Sequence, residues 1–227
     1  MKETIINSFH DLHTFRRNQW TGHFVYRGET STTHKLRPKF GRRLADPFKS
    51  DTGRSFPVAG HESVLIKDFK KQSAPFLTHH PTDDWDWLAI AQHHGLATRL
   101  LDWTENILVA AYFACNSIQE RDAVIYVLNI EDISQADMDT SPFLLKSNVI
   151  FHPRHSTPRI IAQSGLFTAH VDPAQEFESP FLERLIIPKS VTRELFSTLR
   201  TYGFKKSKLF PGLDSVTEEI NEDCGCC

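Results

Sequence analysis

The stretch Trp87–Ala114, WLAIAQHHGLATRLLDWTENILVAAYFA, limits the possible folds of this chain more than any other segment. Its pattern predicts a helix over Asp84–His94, capped by Asp83 and stopped at Gly95, where glycine takes the left-handed turn that ends helices. Thr98–Trp103 reads as a buried strand, and Thr104 as the N-cap of a second helix over 105–117. Helix, stop, strand and helix follow one another with almost no spare residue. The polar side chains at the junctions (Gln92, His93, His94, Thr98, Arg99, Asp102 and Thr104) therefore cluster together with Trp103. Ala110, Ala111 and Ala114, with Phe113, predict a helix packed closely on its neighbours.

The flanks carry the same mixture. Ile5, Ile6, Phe9, Leu12 and Phe15 recur at helical spacing and predict a helix over 4–18. His23–Tyr26 reads as a short strand ending at Arg27-Gly28. Residues 29–60, rich in Thr, Ser, Arg, Pro and Gly, read as a long loop, and a loop of that length is usually functional or mobile. A helix resumes over Glu62–Gln72, with Leu65 and Phe69 on one face. Strands are predicted at Ala123–Leu128, Arg159–Ala162, Leu166–Val171 and Arg184–Ile187. Ser190 caps a helix ending near Gly203, and Pro211 opens a last one with Leu213, Val216 and Ile220 facing inward. The chain has 227 residues and neither an internal repeat nor a linker, so one domain is expected. Its class is α+β, with small mixed or antiparallel sheets flanked by helices.

Composition narrows the function. Hydrophobic residues make up 40% of the chain and the formal net charge is -2, which excludes a globally basic nucleic-acid or membrane binder but leaves room for a local basic groove. The sequence contains no run of 18 apolar residues, and Met1-Lys2-Glu3 leads into patterned helix, so a cytoplasmic protein without membrane attachment is expected. Cys224, Cys226 and Cys227 crowd the end while Cys115 stands alone in an apolar helix, which is not a disulfide framework.

Two places carry candidate chemistry. Tyr26-Arg27-Gly28-Glu29 ends a strand. The arginine there either aims its planar fork of donors at a phosphate or carboxylate, or closes a structural ion pair. Gly28 either admits a ligand to the backbone or serves a turn. Asp102 interrupts an apolar strand and either supports the following helix N-terminus or meets a substrate hydroxyl or cation. His93, His94 and Asp102 lack metal-ligand spacing, and there is no H-E-x-x-H or paired C-x-x-C, so no metal site is expected. Phosphate-loop and G-x-S-x-G motifs are absent as well. Gln163 lies in a polar turn, Glu183 beside a strand, and Lys205-Lys206-Ser207-Lys208 forms a short basic patch.

FVYRGE, AQHHGLATRLLDWTENILVAAYFA, RIIAQSGLFTAH and KLFPGLD together resemble the FRG domain, with Tyr26 where Phe is usual before Arg-Gly. The resemblance covers roughly residues 20–217, leaving 1–19 as an N-terminal helix packed on that domain and 218–227 as an acidic, cysteine-bearing tail. More distantly, Tyr26-Arg27-Gly28, and Leu101–Thr104 running into Val109–Ala114, are similar to motifs of ADP-ribosyltransferases. That likeness implies an ADP-ribosyltransferase-like fold and an enzyme, a toxin or phage-defence effector, that takes NAD as substrate and passes ADP-ribose to a macromolecule (protein or nucleic acid) or to water. It implies that Arg27 grips the pyrophosphate, Thr104 contacts the nicotinamide ribose and Tyr112 stacks on the nicotinamide. Gln163 or Glu183 would supply the late catalytic element, while Tyr26, Gly28, His93, His94, Arg99 and Asp102 line the nucleotide site. Two other readings stand beside it: a nucleic-acid-associated binding module or hydrolase using Arg99, His93, His94 and the basic turn, and a non-catalytic protein-interaction domain.

Overall fold

In a computed structural model that describes residues 1–19, 21–45, 58–77, 80–116, 121–154 and 157–224, the chain begins with a strand rather than a helix. β1 (Lys2–Ile5) precedes α1 (Phe9–Arg17), which Ser8 caps by accepting from the Asp11 amide. That cap breaks the expected helix over 4–18 in two. β2 (Phe24–Glu29) follows, and includes Glu29. The expected loop 29–60 contains α2 (Lys39–Ala45) and the start of α3 (Val58–Ser73); its residues 46–57 lie outside the described residues. α4 (Asp84–His93) is capped by Asp83, and Gly95 takes φ +86°, both as expected.

β3 (Leu100–Thr104) and α5 (Ile107–Cys115) come next, but the N-cap of α5 is Asn106, whose Oδ1 accepts from the Leu108 amide. Thr104 is the last strand residue instead. β4 (Ala123–Asn129) and an unexpected β5 (Val149–Phe151) precede α6 (Pro158–Ala162), a short helix where a strand was expected. Thr157 caps α6 and proline fills its first turn, the position where a missing N–H costs nothing. β6 (Gly165–Ala169), β7 (Leu182–Ile187), α7 (Lys189–Thr201), α8 (Lys206–Leu209) and α9 (Leu213–Cys224) complete the chain. Pro188 rather than Ser190 precedes α7. Leu213, Val216 and Ile220 of α9 are exposed, not inward; Cys226 and Cys227 lie outside the described residues.

The strands form one seven-stranded sheet in the order β1-β7-β4-β2-β3-β6-β5, not several small ones. β1 runs parallel to β7, and every other pairing is antiparallel. Each face is covered because strand residues alternate sides. On one face, α5 and α7 cover Tyr26, Ile125, Val127 and Leu185, while α3 and α4 cover Leu100, Phe151 and Phe167. On the other, Leu36, Ile130 and Phe177 close over Val25, Leu101, Trp103 and Leu128. Two separate helical covers on one face leave a gap between them, over the β2–β3 junction. None of the described helices is long and apolar enough to cross a membrane.

Candidate functional site

β2 pairs with β4 along six residues, from Phe24 to Glu29, but with β3 only at Tyr26–Thr104. Beyond that single pair the two central strands part. A cleft of about 330 Å³ opens there, lined by Arg27, Gly28, Asp102, Thr104, Arg159 and Gln163 among others. A narrower hollow of about 40 Å³ continues from it past Asp102 to Gln92, His93 and Phe167.

Arg27 bridges the divergence. Its Nη1 donates to the Asp102 carbonyl at 2.8 Å, and Nε and Nη2 donate to Glu29 Oε1 at 2.9 and 2.6 Å. Residues two apart on a strand share a face, which is why Arg27 and Glu29 meet. Glu29 also takes His34 Nδ1 at 3.2 Å and lies 3.7 Å from Arg42 Nη2. Both members of the pair are largely covered, with side chains 15% and 11% exposed.

Burial works to raise the Glu29 pKa, but the charges of Arg27 and Arg42 and the hydrogen bonds from Arg27 and His34 outweigh it, holding the group below its ordinary 4.5. A carboxylate with a depressed folded pKa stabilises the fold fully above its unfolded value, and that contribution disappears as pH falls through the folded value. Glu29→Gln is therefore expected to cost about 1.5–3 kcal/mol at neutral pH. The gap between variant and wild type should close as pH drops below 4.5. Urea titrations of both proteins at several pH values test this. A gap of constant size down to acid pH would show that the cluster is not held by charge.

Asp102 is the open carboxylate of the cleft. Its side chain is 56% exposed, Arg27 Nη1 lies 3.5 Å from Oδ2, and Gln92 Nε2 donates to that oxygen at 3.1 Å. It does not cap α5, because Asn106 does. The Thr104 hydroxyl donates to the Gln163 carbonyl at 2.6 Å and accepts from the Asn106 amide at 3.0 Å, so it ties the strand end to the α6–β6 turn. Gln163 sends its amide to the Leu209 carbonyl, 2.9 Å away in α8.

Arg27, Gly28, Asp102, Thr104 and Gln163 thus share one cleft, and His93 lines the adjoining hollow. Tyr26 borders the cleft too, but its side chain is fully buried in the core beneath α5 and its hydroxyl donates to Gln19 Oε1, so it serves packing rather than the expected nucleotide site. Burial, with His94 and Arg159 nearby, pushes the His93 pKa down to about 4, so the ring is neutral at pH 7. The other expected site residues sit elsewhere. His94 is exposed beyond the end of α4. Glu183 is on β7, separated from β2 by β4, and pairs with Lys2 at 3.4 Å. Tyr112 is buried against Phe196 in the α5–α7 layer. Arg99 is buried, with Nε 2.7 Å from Glu62 Oε2 and Nη1 donating to the Pro142 carbonyl at 2.9 Å. Burial sends both of these last side chains into packing rather than into the cleft. Conversely, Glu29, Phe113, Asn116 and Arg159 line the cleft without having been expected there.

Residues 22–123 match the FRG domain family. No curated protein and no solved structure matches the chain.

Proposed function

We propose that this chain, with its FRG domain, is an NAD-consuming enzyme of the ADP-ribosyltransferase type, passing ADP-ribose to a protein, a nucleic acid or water. The observation that carries the reading is the convergence of Arg27, Asp102, Thr104 and Gln163, drawn from three separate stretches of chain, on one cleft. Its volume of about 330 Å³ falls within the range of small-molecule sites. The motif resemblance needs the Arg-Gly strand and the Thr-bearing strand side by side, and they pair at Tyr26–Thr104.

In this reading the bond between nicotinamide and ribose C1′ breaks, and nicotinamide leaves with the electron pair. An oxocarbenium-like ribose remains, the acceptor attacks it, and the acceptor's proton is lost. Asp102 supports the reading as the cleft's open carboxylate, able to face the positive charge as it develops. Glu183 has no part in it, being two strands away from Arg27 in the sheet. The nucleic-acid reading has less support: of the residues it would use, Arg99 is buried, and Lys205 and Lys206 pair with Glu219 and Glu218.

The test is incubation with labelled NAD, with and without cell extract, following free nicotinamide and labelled macromolecules separately. Asp102→Asn should slow nicotinamide release by about 10²–10³, and its half-exposed position should leave the thermal transition in place. Wild-type protein that releases no nicotinamide under either condition would end the proposal.

A further inference from the structure

Two guanidinium groups line the cleft, and they are not equally free to meet a ligand. Arginine carries five N–H donors in a fixed fork. Arg27 spends three of them, two on Glu29 and one on the Asp102 carbonyl, and its charge is countered by a carboxylate 2.6 Å away. Arg159 spends one, a long contact of 3.4 Å from Nη1 to the His93 carbonyl. Among the described residues no carboxylate lies within ion-pair distance of it.

Its placement is nonetheless firm. The Arg159 guanidinium lies 4.6 Å from the Phe210 ring, and Phe210 meets Phe113 edge-on at 5.7 Å. A guanidinium stacked on an aromatic ring keeps its donors in its own plane, along the edges, where they suit two oxygens of one anionic group. Phe113 lines the cleft as well, so the support for the arginine is part of the cleft wall. Arg159 borders both the main cleft and the hollow beyond Asp102. Burial depresses its pKa while the negative charge of Asp102 opposes that, so the cation is poorly solvated and has no full partner of its own.

We infer that Arg159 is the residue that grips the diphosphate of the ligand bound in this cleft, and that Arg27 is a positioning residue, held by Glu29, that keeps β2 and β3 apart at the cleft mouth. The inference rests on the reading above only in taking the ligand to be a nucleotide diphosphate. It reverses the roles that the Arg-Gly motif suggests.

Calorimetric titration with inorganic pyrophosphate and with ADP-ribose, at low and at physiological salt, tests it. Arg159→Gln is expected to weaken both by on the order of 10–100-fold, the loss that goes with charge-assisted hydrogen bonds. Arg159→Lys should weaken them by roughly tenfold, because it keeps the charge and loses the fork. Asp102→Asn should bind both anions more tightly, since it removes a negative charge from the cleft. Wild-type affinity should fall as salt rises, and that dependence should flatten in Arg159→Gln. If Arg159→Gln unfolds, Arg159→Lys decides, and an unchanged affinity in it overturns the inference. Wild-type affinity in a folded Arg159→Gln overturns it too, as does a wild-type protein that binds neither anion. Pyrophosphate held through Arg159 with no nicotinamide release would uphold the inference while ending the transferase reading.

Discussion

Gly28→Ala is expected to lower stability by about 3 kcal/mol or more, a fall in Tm of roughly 6–12 °C for a domain of this size. A Cβ built on Gly28 would lie 1.9 Å from the Ala110 carbonyl oxygen and 2.7 Å from the Ala114 amide nitrogen. Both are backbone atoms of α5, so no side-chain rotation relieves the clash and the helix itself must move. Ala110 and Ala114 are fully buried, and their small side chains let the helix come this near to β2. The glycine of the Arg-Gly pair thus serves packing, not the ligand approach or turn that its chemistry allows. It also serves the cleft, because α5 supplies Val109, Ala110 and Phe113 to the wall. Thermal and urea unfolding of the purified variant give the answer. A Tm within about a degree of wild type would mean that helix and strand do not pack this closely.

Legibility from sequence followed the length of each pattern and the distance to its partner. β4, AVIYVLN, is apolar along nearly its whole length because it lies between β2 and β7 with both faces covered, and α4 carries its own cap and stop. β1 has only the four residues KETI, and its partner β7 lies some 180 positions away, so nothing local marks it as a strand. In α6 two adjacent isoleucines suggest a strand, but the cap at Thr157 and the proline at 158 decide for a helix. That signal was present and was outweighed. α9 fails for another reason. Its periodic apolar stripe predicts burial, yet the helix is held by acidic residues, with Glu219 on Lys205 and Glu222 and Asp223 on Arg200. The polar side faces the protein and the apolar side is left out.

The site divides in the same way. Arg27, Asp102, Thr104 and Gln163 carry enough motif character to be picked out, and they meet. Glu29 was within reach, since strand periodicity alone places it on the face of Arg27. Arg159 was not. Its role depends on α6 turning β6 back alongside β3 and on α8 bringing Phe210 beneath it. The first shows locally only as the Thr157 cap and Pro158, and the second is a tertiary fact with no trace in the local pattern. Tyr112 and Arg99 were overread because an aromatic or a cation near a motif looks functional, whereas Phe196 and Glu62 claim them for the core.

Glu62→Ala is expected to destabilise the protein by about 3–5 kcal/mol, and to do so without touching the cleft. The Glu62 carboxylate receives the Arg99 backbone amide at 2.5 Å and Nε at 2.7 Å, joining α3 to the approach to β3. Without it the Arg99 cation stays buried, left among the described residues to the Pro142 and His170 carbonyls and the Phe143 ring. A buried charge that has lost its partner costs more than the pair ever contributed, so the double variant Glu62→Leu with Arg99→Met should be more stable than Glu62→Ala alone. It should still fall short of wild type, because two carbonyls lose their donor. Arg99→Met adds a pH signature. Burial already raises the Glu62 pKa in the wild type against the charge and hydrogen bonds of Arg99. Without that side chain the backbone amide of residue 99 is left to oppose burial, so the pKa rises further. A group with a raised folded pKa gives its full stabilisation below the unfolded value and loses it as pH rises. Arg99→Met should therefore lie nearer to wild type at about pH 4 than at about pH 8. Urea unfolding of the three variants at both pH values measures all of this. Equal losses in the Glu62 single variant and the double variant would mean that packing volume, not charge pairing, holds α3 against the sheet.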